Sequence, residues 1–184
     1  MNEINKEKIR KAIKDLLEAI GEDPDREGLK DTPARVANMY EELTAGYRDD
    51  EKKHLAKTFD VSTGDVVIEK DITFTSTCEH HLMPFFGKIA IAYIPSDRVV
   101  GLSKLARTVE VFARRLQLQE RLTHDIAQAV FSNLNAKGVI VLCEAEHTCM
   151  TARGVKKVGS KTISYSVLGD IDEAKKNSIL TLMR

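Results

Sequence analysis

The chain has 184 residues, of which 42% are hydrophobic, and its 28 lysines and arginines are balanced by 28 aspartates and glutamates. This length and composition predict one domain with its own core and a small helical extension. A net charge of zero argues against a general nucleic-acid binder, which usually carries a basic excess. No apolar run approaches the roughly 18 residues of a membrane-spanning helix. The charged N-terminus also lacks the apolar core of a signal peptide, so we expect a cytoplasmic protein that contacts neither nucleic acid nor membrane.

The chain contains three cysteines, Cys78, Cys143 and Cys149. A secreted disulfide framework favours a larger and even number of cysteines. Metal ligation, nucleophilic chemistry and core packing are therefore the expected uses. Cys143 lies among apolar residues with no histidine beside it, which is typical of a small core residue.

Two amphipathic helices are predicted in the first quarter of the chain. The first helix is expected to end at Gly21, which is a natural C-terminal cap. Thr32 and the proline that follows it are typical of an N-cap and a first helical turn, and Gly46 is expected to end this second helix. We interpret residues 1–48 as an N-terminal helical region and the charged, turn-rich residues 49–65 as a linker.

Residues 66–184 are predicted to form an α+β domain. Alternating or β-branched patterns predict four strands, at residues 66–74, 87–95, 139–146 and 161–168. Helical patterns lie between the second and third strands, at 102–116 and 122–134, and a last short helix is predicted at 171–183. This order predicts a four-stranded antiparallel sheet with two helices on one face.

The sequence Cys-Glu-His-His at residues 78–81 lies in the loop that joins the first two strands. A spacing of three places Cys78 and His81 on one side of a turn, where a tetrahedral ion can bind both. Cys149 is the best candidate for a third ligand. If its segment is extended, His147 faces the same way as Cys149, because side chains alternate along a strand.

The number of ligands would decide what such an ion does. Cys78, His81 and Cys149 make three ligands, which leaves a position for water, whereas His147 as a fourth ligand would give a closed structural site. In the open site, His80 and His147 remain free for proton transfer, since a histidine titrates near neutral pH.

Basic residues are concentrated in two stretches of this neutral chain. Residues 98–121 contain six of them against two acids, and residues 151–161 contain four and no acid. Lys104 and Arg107 are neighbours on one helical face, and Ser103 stands where an N-cap is expected, so free backbone amides can add to an anion site. A solvated basic face would look the same, but the pattern favours a phosphorylated small molecule.

Glu120 is an isolated acid within the first basic stretch. A carboxylate accepts two hydrogen bonds side by side, which suits the N–H and amino edge of guanine. A surface pair with Arg121 is the alternative interpretation.

Three separated blocks of the sequence together resemble the GTP cyclohydrolase I family. They are CEHHLMPFFGKIAIAYIP, GLSKLARTVEVFARRLQLQERLT and EAEHTCMTARGVKK, in this order along the chain. The resemblance extends from about Asp31 to the C-terminal Leu-Thr-Leu. It implies the tunnelling fold (T-fold), in which subunit sheets join into five-membered rings and two rings stack as a homodecamer. Active sites in the family lie between subunits.

The resemblance also implies a reaction, the conversion of GTP and water to 7,8-dihydroneopterin triphosphate and formate, the first step of tetrahydrofolate and pterin biosynthesis. By motif, the zinc ligands are Cys78, His81 and Cys149, and water activated by Zn²⁺ attacks C8 of guanine. His80 is the implied acid for the imidazole nitrogen, and His147 is the second proton-transfer residue.

The substrate contacts are implied in the same way. Glu120, with the backbone near Gln119, would hold the guanine edge. Lys104, Arg107 and Arg153 would hold the triphosphate, Arg35 would reach in from a neighbouring subunit, and Ser103 fits the later chemistry of the ribose ring. Thr151-Ala152 departs from the larger apolar residues of many members, and neither Glu79 nor Cys143 has an implied role.

Two other functions remain open from the residues alone. A reductase or deaminase-like zinc enzyme would use a cysteine as nucleophile and keep its activity without metal, or need a nicotinamide cofactor. The deaminase signature of His-x-Glu with a later Pro-Cys-x-x-Cys is missing from the sequence. A zinc-stapled binding module would have four protein ligands and no turnover.

Overall fold

The structure is a computed structural model, and it describes residues 3–184. The α-helices are Lys6–Ala19 (α1), Thr32–Leu43 (α2), Glu51–Leu55 (α3), Leu102–Ala113 (α4), Gln119–Leu134 (α5), Thr148–Thr151 (α6) and Glu173–Met183 (α7). The strands are Thr58–Asp60 (β1), Val67–Cys78 (β2), Pro84–Ile94 (β3), Arg98–Val100 (β4), Leu116–Gln117 (β5), Gly138–His147 (β6) and Thr162–Gly169 (β7). The α+β class expected from the sequence is confirmed.

The two N-terminal helices differ from their predicted ends in small ways. Ile20 is the C-cap residue of α1, and Gly21 after it has a φ of 88°, a conformation that glycine adopts without steric penalty. Asp31, not Thr32, is the N-cap residue of α2. Gly46 does not end α2, which stops at Leu43; it lies in the short 3-10 helix Ala45–Arg48 that follows.

The segment expected to be a linker, residues 49–65, contains two short elements instead. Helix α3 is capped by the side chain of Asp50 and places Leu55 in the core with no exposed surface. Strand β1 pairs antiparallel with β4, opposite residues 98–100. These elements depend on packing and pairing with distant residues, which the local composition does not reveal.

The main sheet has the strand order β5-β2-β3-β6-β7. Its four long strands are antiparallel neighbours, and β5 is a two-residue parallel addition at the edge beside β2. The pairing of β2 with β3 shifts in register between Glu69 and Ile72, and Asp71 there has a φ of 59°. The sheet therefore has four long strands and one short edge strand.

The larger core lies between one face of the sheet and helices α4 and α5. Alternate residues of β3 face it, because side chains alternate along a strand. This core includes Phe85, Ile89, Ile91, Tyr93, Leu105, Val109, Leu122, Ile126 and Val130. A smaller cluster on the opposite face packs Ala90, Ala92 and Ile140 against Ile179 and Met183 of α7. The helices thus cover both faces of the sheet unequally, with the two longer ones on a single side.

Among residues 3–184, no helix combines the length and apolar character that crossing a membrane requires.

Candidate functional site

A five-residue turn joins β2 to β3 and carries the Cys-Glu-His-His motif. Its ends are tied together by the Cys78 N–H, which donates to the Met83 carbonyl at 2.8 Å. The Leu82 N–H donates to the Cys78 carbonyl, also at 2.8 Å, and Leu82 adopts a φ of 55°. This tight backbone folds His81 back toward the end of β2. Cys78 Sγ and His81 Nδ1 are 3.8 Å apart as a result.

Cys149 reaches this turn from the end of β6. Phe85 at the start of β3 pairs with His147, the last residue of β6, so β6 ends beside the turn. The chain then enters the short helix α6, which contains Cys149, and the Thr148 hydroxyl donates to the Pro84 carbonyl at 2.6 Å. The segment is therefore helical after His147, so the condition of an extended segment does not hold. His147 and Cys149 do not share a strand face.

The sulfur atoms of Cys78 and Cys149 and a ring nitrogen of His81 lie within 4.8 Å of one another. Zinc–ligand bond lengths in a tetrahedral site place neighbouring sulfur and nitrogen ligands about 3.6 Å apart, close to the 3.8 Å between Cys78 and His81. Two thiols and an imidazole are also the donor types that zinc prefers. The three residues therefore fit a zinc ion, and His147 is not a member of this group.

The Cys149 thiol responds to its surroundings. Burial raises the pKa of the Cys149 thiol, and the adjacent Cys78 raises it further, whereas the charge of Arg153 acts in the opposite direction. A bound cation would relieve this repulsion, since metals bind the thiolate form. Cys143 is fully buried in the core, and burial raises the pKa of its thiol to about 12.

His147 is held at the edge of the site by two contacts. Its ring stacks on Phe85 with centroids 4.6 Å apart and planes 4° apart. Its Nε2 is 2.8 Å from Oε1 of the Gln119 side chain. Burial lowers the pKa of His147, although the nearby Glu120 carboxylate raises it. The ring is therefore fixed in plane and biased toward its neutral form.

His80 is exposed, as is His81, whereas His147 is partly buried. The His80 ring stands edge-on to that of His81, with 6.2 Å between centroids. It is thus beside the candidate metal ligands, but solvent and ligand can reach it.

The residues that begin α5 face the same region as His147. Glu120 is exposed in the first turn of the helix, and its charge acts on His147. Gln119, by contrast, is 1% exposed. The sequence indicates a role only for the backbone there, because a glutamine in a charged stretch is usually a surface residue.

Glu79 also contacts α5. Its carboxylate forms an ion pair with Arg121, and its N–H donates to the Gln117 carbonyl at 3.1 Å. Arg121 in turn donates to the Gln117 side chain at 2.9 Å. These contacts join the metal-site turn to the helix that carries Glu120. The opposite charges of Glu79 and Arg121 were visible in the sequence, but their proximity depends on the fold.

Three predicted substrate residues lie in the first two turns of α4. Gly101, not Ser103, is the N-cap residue of this helix, so the predicted N-cap role of Ser103 was wrong. Ser103 and Arg107 are exposed, and Lys104 is partly exposed. Within residues 3–184, no hydrogen bond or ion pair joins these three side chains to the candidate metal ligands.

The remaining two candidates are arginines on the surface. Arg153 is exposed just after α6, close enough to Cys149 for its charge to act on the thiol. Arg35 lies on α2 and pairs with Asp31 of its own helix at 3.4 Å. Arg153 is therefore near the metal site of its own chain, whereas no contact within residues 3–184 links Arg35 to that site.

Known proteins resemble this chain along nearly its whole length. Proteins called GTP cyclohydrolase 1 are 56% identical in Clostridium perfringens (98% of this chain and 98% of that protein) and 53% identical in Bacillus pumilus (100% and 99%). The one from Carboxydothermus hydrogenoformans is 60% identical over 90% of this chain and 87% of its own length. A solved structure, the archaeosine synthase QueF-Like in the apo form, has a TM-score of 0.48 at 19% identity, over 61% of this chain and 100% of that chain.

A family model described as GTP cyclohydrolase I matches residues 9–184. This range includes the metal-site turn, both basic stretches and the segment around Cys149. The chain belongs to the GTP cyclohydrolase I family.

Proposed function

We propose that the chain converts GTP and water to 7,8-dihydroneopterin triphosphate and formate. The observation that carries the proposal is the group formed by Cys78, His81 and Cys149, whose ligand atoms lie within 4.8 Å of one another in a chain matched by the family model from residue 9 to 184. Three ligands leave a tetrahedral ion one position for water.

We assign the three residues to a zinc ion. Bound there, zinc supplies Lewis acidity, which makes water acidic enough to act as a nucleophile near neutral pH. The chain positions the sulfur and nitrogen ligands through the closed turn after β2 and the start of α6. His147 is left out of the ligand set and keeps its bond to Gln119.

The histidines and Glu120 would act on the guanine base. His80 is exposed beside His81 and can donate a proton to a nitrogen of the opening imidazole ring. His147 is held in plane by Phe85 and can transfer the second proton. The exposed Glu120 carboxylate can accept the N–H and amino groups of guanine side by side.

The basic residues would hold the triphosphate. Arg153 is near the metal group, whereas Lys104 and Arg107 project from α4 and make no contact with that group within residues 3–184. A T-fold homodecamer with sites between subunits would bring α4 and Arg35 of one chain to the metal group of another. Ser103, next to Lys104, would then lie near the ribose, where the later ring opening takes place.

The test is to incubate the purified, zinc-loaded protein with GTP and to measure formate and, after oxidation, a fluorescent pterin. We expect both products in equal amounts, their loss after chelation and their return when zinc is added. Folded, zinc-loaded protein that releases neither product would overturn the proposal and favour a zinc-stapled binding module. Turnover that survives chelation would favour a cysteine nucleophile.

A further inference from the structure

The side-chain amide of Gln119 lies in a closed polar pocket under His147. The residue is 1% exposed. The amide nitrogen is 3.2 Å from the Cys143 carbonyl, 3.0 Å from the Thr162 carbonyl and 3.1 Å from the Ser164 hydroxyl. Carbonyl oxygens only accept hydrogen bonds, so the NH₂ group of the amide must face them.

The hydroxyl groups of Thr123 and Ser164 extend this hydrogen-bond network. Thr123 donates to the Gln119 carbonyl one helical turn earlier, at 2.7 Å. Its oxygen is 2.7 Å from the Ser164 hydroxyl, which can therefore donate to Thr123 and accept an amide hydrogen of Gln119 that is shared with a neighbouring carbonyl, since the amide has two hydrogens for its three acceptors. Each hydroxyl then has one donor and one acceptor partner. Rotating the amide by 180° would place its oxygen against the carbonyl oxygens of Cys143 and Thr162, where no hydrogen bond can form.

The orientation of the amide determines which of its atoms, the oxygen or the nitrogen, faces the His147 ring. Oε1 of Gln119 is 2.8 Å from Nε2 of His147, and an amide oxygen can only accept. The hydrogen of the neutral imidazole is therefore on Nε2, because the two ring nitrogens of a neutral histidine are one donor and one acceptor.

We infer that the Gln119 side chain is a positioning residue that holds His147 as the Nε2–H tautomer and so makes Nδ1 its proton-transfer atom. The inference rests on the proposed function for the part that His147 plays in turnover. Phe85 fixes the plane of the ring by stacking, and Gln119 fixes which nitrogen carries the hydrogen.

This arrangement lets a proton come and go without disturbing the pocket. When Nδ1 accepts a proton from the reacting molecule, the ring becomes an imidazolium with N–H groups at both nitrogens. The bond from Nε2 to Gln119 keeps the same direction in both states. Release of the proton from Nδ1 restores the starting tautomer, so no hydrogen has to move in the buried network.

Nitrogen NMR of the zinc-loaded protein, labelled with ¹⁵N-histidine, tests the tautomer directly. The chain has five histidines, and the His147 signals are those that disappear in His147→Asn. At a pH where the ring is neutral, we expect a protonated Nε2 and an unprotonated Nδ1. A protonated Nδ1 with a bare Nε2 would overturn the inference. This measurement uses the unsubstituted protein and needs no GTP turnover.

Gln119→Met tests the role in turnover, with Gln128→Met as the matched control. Gln128 is an exposed glutamine on the same helix, where it bonds Ser132. In Gln119→Met we expect both tautomers of His147, unchanged zinc content and a kcat at least roughly tenfold lower, since a proton-transfer residue typically contributes about 10²–10⁴-fold. The KM for GTP should change less than kcat.

The outcomes separate this inference from the proposed function. Wild-type kcat and a single tautomer in Gln119→Met contradict the inference even if GTP is consumed. Wild-type protein with the expected tautomer but no pterin contradicts the proposed function instead. If Gln119→Met does not fold, the NMR result on the unsubstituted protein decides the tautomer alone.

Discussion

At the scale of single residues, the surroundings of each sulfur atom determine whether a cysteine of this chain can bind a metal or only packs in the core. Cys78 and Cys149 lie against each other and His81. Cys143 lies in the core, with its pKa raised to about 12 by burial, so almost none of it is thiolate near neutral pH. The distinction between metal ligand and core residue follows from these surroundings.

Cys149→Ala should abolish zinc binding and GTP turnover together. Two remaining ligands, Cys78 and His81, do not hold zinc as a set of three does. Metal content after dialysis and pterin formation are the two measurements. Cys143→Ala is the matched control and should keep zinc at wild-type stoichiometry. Retention of both zinc and activity by Cys149→Ala would mean that the ligand set is incorrect.

Glu120→Ala should reduce kcat/KM for GTP by roughly 10- to 100-fold, because hydrogen bonds to a charged group contribute about 1.5–3 kcal/mol. Zinc content should not change, since Glu120 is outside the metal group. Steady-state kinetics and metal analysis measure the two effects. Asp125→Ala, farther along the same helix, serves as the control with wild-type kinetics. Equal kinetics in both variants would remove Glu120 from the guanine site.

The site residues divide into those that the sequence could predict and those that it could not. Cys78 and His81 are close in sequence, and a turn brings such neighbours together, so their grouping could be predicted from spacing. The Gln119 pocket could not, because its partners come from β6, β7 and α5, and a glutamine beside charged residues gives no signal of burial.

At the scale of elements, close contact between two backbone segments explains why residue 46 is a glycine. Gly46 was expected to end α2, but it lies in the next turn, against the end of α4. Its N–H donates to the Arg114 carbonyl at 3.0 Å, and Arg115 donates to its carbonyl at 3.2 Å. A side chain there would place its Cβ 2.1 Å from the Val111 carbonyl oxygen. The absence of a side chain therefore allows the two backbones to meet.

Gly46→Ala should lower the free energy of unfolding by about 1–3 kcal/mol, which is typical of an overpacked contact. Backbone atoms cause the clash, so a change of rotamer cannot relieve it. Urea unfolding followed by circular dichroism measures the change. Gly64→Ala is the control, because the nearest atom to its Cβ would be Lys137 Nζ at 3.5 Å. An unfolding midpoint for Gly46→Ala equal to that of Gly64→Ala would contradict this account.

The long elements could be predicted because their patterns are local. Alternation identifies β3, and the periodic apolar residues of α4 and α5 identify those helices. The short elements α3, β1 and β5 lack such a pattern, since two to five residues are too few to repeat. Their positions depend on partners elsewhere, as β1 does on β4 and β5 does on β2.

At the scale of the whole molecule, the candidate metal group joins parts of the chain that are distant in sequence. Cys78 and His81 belong to the turn after β2, and Cys149 follows β6. An ion that binds only the folded arrangement stabilises it by mass action. A metal bound there would therefore cross-link these distant parts of the chain.

Zinc removal should lower the thermal unfolding midpoint, and added zinc should restore it. A free ion at about 100 times its Kd adds about 2.7 kcal/mol to the stability of the folded state. Differential scanning calorimetry of protein with and without a chelator measures the shift. Cys149→Ala should show no dependence on zinc. A midpoint that ignores zinc in the unsubstituted protein would indicate that no ion binds at this group.

Because Phe85 pairs with His147, the geometry of the candidate metal group depends on the register between β3 and β6. A slip of one residue between β3 and β6 would move Cys149 by about 3.3 Å along the strand and turn its neighbours to the opposite face. The sulfur atoms and the imidazole would then no longer fit one ion. Chains paired in a slipped register would not gain the free energy of zinc binding, so a bound ion would stabilise the correctly aligned sheet relative to registers shifted by one residue.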